Sequence, residues 1–229
     1  MKKSCVVVLL VLLFTSALGF AQHKQDYVGR WDAFTGFSYL AVPSLNLVER
    51  GFNSEFGYNH NRWLALGFDI SYFNGHTSLG TGPLSLGAKA KLAPLMGMLP
   101  AGTTVMVPYN ATTLNMSMGP QINIRKIKQV TFFVRPALGW LHETVSPKPN
   151  TQVTTIVVKT LMGSGTKTTD DVVFYGFGGG VDLNLTKHMA IRMAADFIHV
   201  NMFADLLQDN RNNVRVSIGP AIRWGKNVE

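Results

Sequence analysis

The sequence predicts an all-β fold, a closed eight-stranded antiparallel up-and-down β-barrel that crosses a membrane. Of its 229 residues only 15% are charged, while 46% are apolar and 22 are glycine. Beyond the first 22 residues no apolar run approaches the roughly 18 that a spanning helix requires. Apolar and polar residues instead alternate along several segments of about 9 to 13 residues, long enough for a tilted strand to cross a bilayer.

The alternation is clearest over Leu114–Arg125, where every second residue is apolar. Strict period-two alternation predicts a strand with two opposed faces. Pro120, Pro136 and Pro220 fall inside such segments, and each argues against a strand there unless it lies at a bulge, because proline cannot donate to the ladder. The eight predicted strands are Trp31–Leu40, Gly51–Asn59, Trp63–Phe73, Leu114–Arg125, Val130–Leu141, Val173–Leu185, Met189–His199 and Val214–Gly225.

The connections between these strands alternate in length, which predicts short periplasmic turns and long extracellular loops. The short ones are Asn59–Arg62, Lys126–Gln129 and Thr186–His188. The long ones are Ala41–Arg50, Asn74–Thr113, His142–Val172 and Val200–Asn213. Val105–Asn110 is expected to extend the following strand beyond the membrane.

The first segment predicts a secretory signal peptide over residues 1–21, followed by a barrel domain over 22–229. Lys2 and Lys3 precede an apolar stretch from Val6 to Phe14, and Ala21 ends a small-residue cleavage site. The only cysteine, Cys5, leaves with this segment, so no disulfide is expected. Export through a cleaved signal peptide to the outer membrane of a Gram-negative-type bacterium is therefore predicted.

The two faces of the predicted strands distinguish a membrane barrel from a soluble one. A soluble barrel for an apolar ligand would turn its apolar face inward and expose a lysine- and glutamate-rich face to water. Here the polar face is rich in glycine with balanced charges, and opposite charges in a narrow lumen must pair. The predicted lumen charge network comprises Asp32, Glu55, Asp69, Arg125, Arg135, Asp182, Arg192, Asp196, Arg215 and Arg223. The predicted aromatic girdle at the headgroup levels comprises Tyr72, Phe132, Trp140 and Trp224.

Five segments carry a resemblance to a known family: Phe34–Tyr39, Asn61–Leu66, Gly178–Asp182 with Lys187–His188, Ile191–Arg192, and Asn213–Gly219. Over about Asp26 to Gly225 the chain resembles the OmpA/OmpX-type outer-membrane β-barrel domain. The resemblance implies a small barrel with a packed polar interior and a structural, adhesive or host-contacting role. Two departures are the four residues Lys226–Glu229 after the last strand, where an aromatic terminus is expected, and the lack of a following peptidoglycan-binding domain.

Candidate chemistry is sparse, and the sequence predicts no catalytic residue, no cofactor and no metal site. The six histidines show no metal-ligand spacing. His142 and His199 lie at the long-loop ends of strands, where a lipid-modifying barrel enzyme could hold a catalytic histidine, with Ser146 and Glu143 nearby. Gly176–Gly180 lies within an alternating strand rather than before a helix, which disfavours a dinucleotide loop.

The long loops contain the remaining candidates for specificity. Leu92–Pro100 is unusually apolar, and is interpreted either as a contact surface or lid or as a short amphipathic turn over Lys89–Met98. Thr151–Leu161 is rich in Thr, Val and Ile, which favours a protruding β-ribbon. A ten-stranded barrel with this segment in the wall is the alternative topology.

The sequence thus predicts a non-enzymatic outer-membrane barrel whose lumen is filled by side chains, acting as a structural or surface-contact protein through its long loops. The alternatives are a small passive pore, an outer-membrane lipid-modifying enzyme and a soluble ligand-binding barrel. Expected partners are outer-membrane lipid, lipopolysaccharide and the barrel-assembly machinery during biogenesis. The formal net charge of +8 gives no reason to expect nucleic acid, and a monomer is expected.

Overall fold

The computed structural model describes residues 27–100, 102–208 and 212–228, so the predicted signal peptide lies outside the described residues. Within these ranges eight strands close into a barrel, each antiparallel to its neighbour, with the last pairing to the first. The predicted fold class is confirmed. The strands are β1 (Gly29–Val42), β2 (Leu47–Asn59), β3 (Leu64–Leu79), β4 (Val107–Ile124), β5 (Val130–Pro147), β6 (Thr168–Asn184), β7 (Met189–His199) and β8 (Asn212–Asn227).

Most strands are longer than the alternation predicts, and most of the added length lies at the long-loop end. β3 and β4 remain paired as far as Leu79 opposite Val107, so β4 includes residues 107–110 of the extension predicted over Val105–Asn110. β5 and β6 remain paired as far as Val145 opposite Thr168. These extensions lack strict alternation because both of their faces lie beyond the membrane.

The strand prolines lie inside β4, β5 and β8 without bulges, so the predicted strands are confirmed at these positions. The β4–β5 pairing passes from Met118–Leu138 to Ile122–Val134 with no change of register, and Pro120 and Pro136 lie opposite each other in the interval. Each of these prolines lacks an N–H, so the ladder loses bonds there while the pleat continues. In the described β1–β8 pairing the only register shift falls between Gly29 and Trp31, far from Pro220.

Two α-helices occur in the described long loops, α1 (Leu86–Gly97) and α2 (Gln152–Met162). α2 replaces the β-ribbon predicted for Thr151–Leu161, and the ten-strand topology is therefore wrong. Thr151 and Thr154 form a reciprocal capping box, with 3.1 Å from Thr154 N to Thr151 Oγ1 and 2.9 Å from Thr151 N to Thr154 Oγ1. This cap and the burial of Val157 outweigh the β propensity of the segment.

The segment Lys89–Met98, predicted as a short amphipathic turn, instead belongs largely to the helix α1, which ends at Gly97 and has no distinct apolar face. Its N-cap Ser85 accepts a 3.2 Å hydrogen bond from Ala88 N. None of the described helices is sufficiently long and apolar to cross a membrane.

The interior of the described barrel contains two apolar layers separated by polar residues. The cap is the cluster of α1, α2, the 3₁₀ turn Pro43–Leu45 and the segment 203–207, packed over the long-loop end of the barrel. Below it lies the inner apolar layer, formed by Leu40, Phe73, Leu141, Phe174, Ile198, Val200 and Met202. The side chains of the predicted charge network lie deeper, toward the short-turn end, so the lumen has distinct chemical levels.

Candidate functional site

The outer surface of the barrel is a continuous belt of exposed apolar side chains. Phe37, Met118 and Leu138 are 63%, 58% and 61% exposed. These side chains alternate with buried polar ones, because successive strand residues point to opposite faces. A water-soluble protein seldom exposes so large a contiguous apolar surface. The belt therefore has the character of a lipid-facing surface.

Aromatic side chains lie at both edges of this belt. Phe132 and Trp140, both outward on β5, are eight positions apart, about 27 Å along the strand. After a tilt of about 40°, that separation approaches the height of about 25 Å of the apolar band of membrane barrels. Trp224 packs 6.0 Å from Phe56 at the short-turn edge, and Tyr72 packs 6.2 Å from Phe52 at the other. The predicted girdle residues all point outward.

The lumen contains a chain of alternating carboxylates and guanidinium groups. In spatial order, its members are Asp69, Arg215, Asp196, Arg135, Glu55, Arg192, Asp182 and Arg223. All eight side chains are buried. Because every acid contacts at least one arginine, the chain satisfies charges that would be costly if left unpaired in a low dielectric.

Glu55 links the two arginines at the centre of this network. Its Oε1 lies 2.7 Å from Arg135 Nη1 and its Oε2 lies 2.9 Å from Arg192 Nη1. Arg135 also donates through Nε and Nη2 to the two oxygens of Asp196, at 3.0 Å each. Such two-point pairing fixes both the position and the orientation of the guanidinium group.

Two predicted members lie at the margins of the network. Asp32 Oδ1 is 3.5 Å from Arg192 Nη1 and its Oδ2 accepts from Asn59 at 3.3 Å. Arg125 forms no ion pair with a described residue. It donates to Asn59 Oδ1 at 3.0 Å and to the Arg62 carbonyl, at the short-turn end.

Sequence reasoning did not identify two buried acids at the barrel mouth, Glu49 on β2 and Glu143 on β5. They are 1% and 7% exposed and lie between the inner apolar layer and the cap. The signal was available, because Glu49 shares the inward face of Glu55, and Glu143 that of Arg135. The sequence points to Glu143 only as a neighbour of His142.

The mouth acids lie beyond the membrane-spanning level. Glu143 is three residues past Trp140, and Gly75, the partner of Glu49, is three residues past Tyr72. Desolvation raises the pKa of Glu143 to about 8, with a further increase from the neighbouring charges of Glu49 and Asp170. Desolvation also raises the pKa of Glu49 to about 7, which the nearby Thr113 offsets only in part.

His142 and Glu143 are consecutive strand residues and point to opposite sides of the wall. His142 Nδ1 lies 2.9 Å from Asp171 Oδ1, and its Nε2 lies 3.4 Å from Thr144 Oγ1, all on the outward face. His199 Nδ1 instead lies 3.0 Å from Asn212 Oδ1. Among the described residues no group of three or more His, Cys, Asp or Glu side chains is placed to hold a metal ion.

Comparisons with known proteins give a likeness of fold. No family model and no curated protein matches the chain. The crystal structure of Neisserial surface protein A is similar, with a TM-score of 0.50, 10% identity, and coverage of 85% of this chain and 96% of that one. This likeness confirms the resemblance to OmpA/OmpX-type barrels at the level of the fold.

Two further solved barrels show weaker likeness. Ail, the attachment invasion locus protein of Yersinia pestis, has a TM-score of 0.49 at 12% identity, covering 86% of this chain and 99% of that one. The N-terminal β-barrel domain of Pseudomonas aeruginosa OprF has a TM-score of 0.40 at 9% identity, and the match covers 88% of this chain and 100% of that domain.

Proposed function

We propose that the chain is a non-enzymatic outer-membrane β-barrel with a side-chain-filled lumen, which acts as a structural or surface-contact protein through its capped long-loop end. The observation that carries this proposal is the combination of an exposed apolar belt with aromatic edges and a fully buried lumen of paired charges. Only a bilayer offers that outer surface a favourable environment, while the lumen satisfies its own charges.

A closed lumen favours a structural role over a passive pore. Beside the network, the cavity that includes Glu55 and Arg135 has a volume of about 20 Å³, close to that of a single water molecule. Above it, the inner apolar layer and the cap add two further obstructions. Ions would have to displace paired side chains before they could cross.

The cap supplies the surface for external contact. α1 and α2 hold the long loops in one arrangement through a shared apolar cluster, while Leu86 and Met98 remain 79% and 81% exposed. In this proposal the belt contacts outer-membrane lipid and lipopolysaccharide, and the barrel-assembly machinery inserts the chain after its predicted signal peptide is removed. The chain acts as a monomer.

The test is heat-modified migration of the protein in an outer-membrane fraction, combined with conductance of the purified barrel in planar bilayers. A closed ladder resists cold dodecyl sulfate, so unboiled and boiled samples should migrate differently, and the reconstituted protein should give no step-like conductance. A protein that is free in the periplasm and shows no shift would contradict the membrane assignment. Regular conductance steps would instead establish the pore.

A lipid-ester hydrolase is the second candidate function, favoured by the contacts of Thr144, His142 and Asp171 on the outward face. A hydroxyl, an imidazole and a carboxylate in series can activate the hydroxyl as a nucleophile. The test is hydrolysis of a nitrophenyl ester in detergent micelles. Activity that disappears in His142→Ala, but persists in His199→Ala, would replace the non-enzymatic proposal.

A further inference from the structure

An apolar cavity lies at the barrel mouth, between the strand ends and the cap. Its volume is about 90 Å³, and its wall includes Leu45, Leu84, Val107, Val157 and Leu207. These residues come from the barrel, from α2 and from three separate loop segments. The cavity is therefore formed by the docked cap rather than by the β-barrel alone.

The wall of this mouth cavity contains one carboxylate, that of Glu143. Glu143 is 7% exposed. Two neighbouring polar groups, the carboxylate of Glu49 and the hydroxyl of Tyr109, have no hydrogen-bond partner among the described residues. Buried polar groups normally have hydrogen-bond partners, so a ligand in this cavity could supply the partner that these groups lack.

The charges around Glu143 are all acidic, which sets the sign of the missing partner. Tyr109 also lines the cavity, and the two acids that raise the pKa of Glu143 are Glu49 and Asp170. The basic residues of the cap helices are directed elsewhere. Lys89 Nζ lies 3.4 Å from Gln208 Oε1, and Lys91 and Lys159 are exposed.

We propose that the mouth cavity binds a small organic cation, a primary ammonium on a short alkyl group, with the ammonium at Glu143 and the alkyl group against the cap. An apolar cavity of about 150 Å³ accommodates the carbons of benzene, so about 90 Å³ suits an alkyl group of about three carbons. The wall residues with a side-chain oxygen are Tyr109, Glu143 and Thr168, too few to supply the roughly six to eight oxygen ligands that Ca²⁺ takes.

The binding should release a proton, because the unoccupied carboxyl is largely protonated at neutral pH. Desolvation, followed by Glu49 and Asp170, raises the pKa of Glu143 to about 8. A bound ammonium stabilises the carboxylate, whereas the amine, with a pKa near that of lysine at about 10.4, remains charged. Affinity should therefore rise with pH, by about tenfold or more between pH 6.0 and pH 8.5.

The experiment is isothermal titration of the folded full-length barrel in detergent micelles with propylammonium chloride. The neutral isostere propan-1-ol is the matched ligand control. The expected result is saturable one-to-one binding of the cation that strengthens with pH and releases a proton, with much weaker binding of the alcohol. Absence of binding at both pH values, or equal affinity for the alcohol, overturns the proposal.

Three variants make the test specific to the site. Glu143→Gln should weaken cation binding by about tenfold or more, and Val157→Phe should abolish it by filling the cavity. Asp205→Asn removes an exposed acid of the cap and should bind as the parent does. Unchanged cation affinity in Glu143→Gln, with the heat-modified band intact, overturns the site. That band tests the barrel independently, so the two proposals fail separately.

Discussion

Arg192 and Asp182 lie directly opposite each other in the β7–β6 register and form a two-point ion pair inside the lumen. Arg192 Nε is 2.8 Å from Asp182 Oδ1, and Arg192 Nη2 is 3.1 Å from Oδ2. The guanidinium also lies 5.0 Å from the Phe133 ring centroid. The strand register, the ion pair with Asp182 and the contact with the Phe133 ring thus fix the position of the Arg192 side chain.

Replacing Arg192 should destabilise the barrel strongly, because Asp182 and Glu55 would each lose a buried partner. We expect Arg192→Met to lower the free energy of unfolding by about 3–5 kcal/mol, measured by urea titration in micelles. Arg50→Met removes an exposed arginine and should change it by at most about 0.5 kcal/mol. Equal unfolding midpoints for the two variants would show that the network does not stabilise the fold.

A charged side chain on the outer belt should destabilise the barrel only where that belt lies within the membrane. Phe68 points outward midway between Leu64 and the girdle residue Tyr72 on β3, and it is 44% exposed. We expect Phe68→Arg to cost about 2–4 kcal/mol in a lipid folding equilibrium. Ser78→Arg lies on the same face beyond the girdle and should cost at most about 1 kcal/mol. A soluble barrel would tolerate both substitutions, so the difference between them checks the lipid-facing assignment.

The stability of the barrel should fall as pH rises from about 5 to about 8. Desolvation raises the pKa of Glu143 from 4.5 to about 8 and that of Glu49 to about 7. The folded state therefore binds more protons than the unfolded state over that interval, so each unit of pH reduces the free energy of unfolding.

The measurement for this pH dependence is urea unfolding at pH 5.0 and pH 8.5. Glu143→Gln has no titrating group at position 143, so its free energy of unfolding should decrease less with rising pH. The variant should therefore be more stable than the parent at the higher pH. Asp205→Asn, an exposed change in the cap, should retain the full decrease. A parent protein that is equally stable at both pH values would mean that water or another group solvates the mouth acids.

The strand pairing around Pro120 and Pro136 should not tolerate a side chain at Gly119. A Cβ at Gly119 would lie 2.0 Å from the Pro136 carbonyl oxygen, a backbone atom that cannot move aside without distorting β5. We expect Gly119→Ala to reduce the heat-shifted fraction after refolding and to cost about 1–3 kcal/mol. Gly97→Ala meets nothing within 4 Å at the end of α1 and should refold as the parent does.

The sequence predicted the strands because a two-residue period is a local property that every lipid-facing strand repeats. The Leu114–Arg125 alternation lies almost wholly within β4, and all ten predicted network side chains are buried. Which arginine contacts which acid depends on the stagger of the closed barrel, so the pairing of Asp69 with Arg215, 146 positions apart, has no local signal.

The cap was the least predictable part of the molecule. β-branched residues favoured a strand over Thr151–Leu161, whereas the Thr151–Thr154 capping box and contacts with distant loops favour α2. The burial of Glu49 and Glu143 could not be predicted for a related reason, because it is the cap that isolates them from water. Their environment follows from tertiary contacts that no alternation of residues encodes.

The lumen ion pairs also disfavour sheets in which the strands pair in the wrong order or register. Arg135 on β5 contacts Glu55 on β2, and Arg215 on β8 contacts Asp69 on β3, so each pair joins strands that are not neighbours. A one-residue slip would turn these charges outward into hydrocarbon, and an open sheet would leave them unpaired. The same side chains that close the lumen therefore stabilise the barrel only when strand order and register are correct.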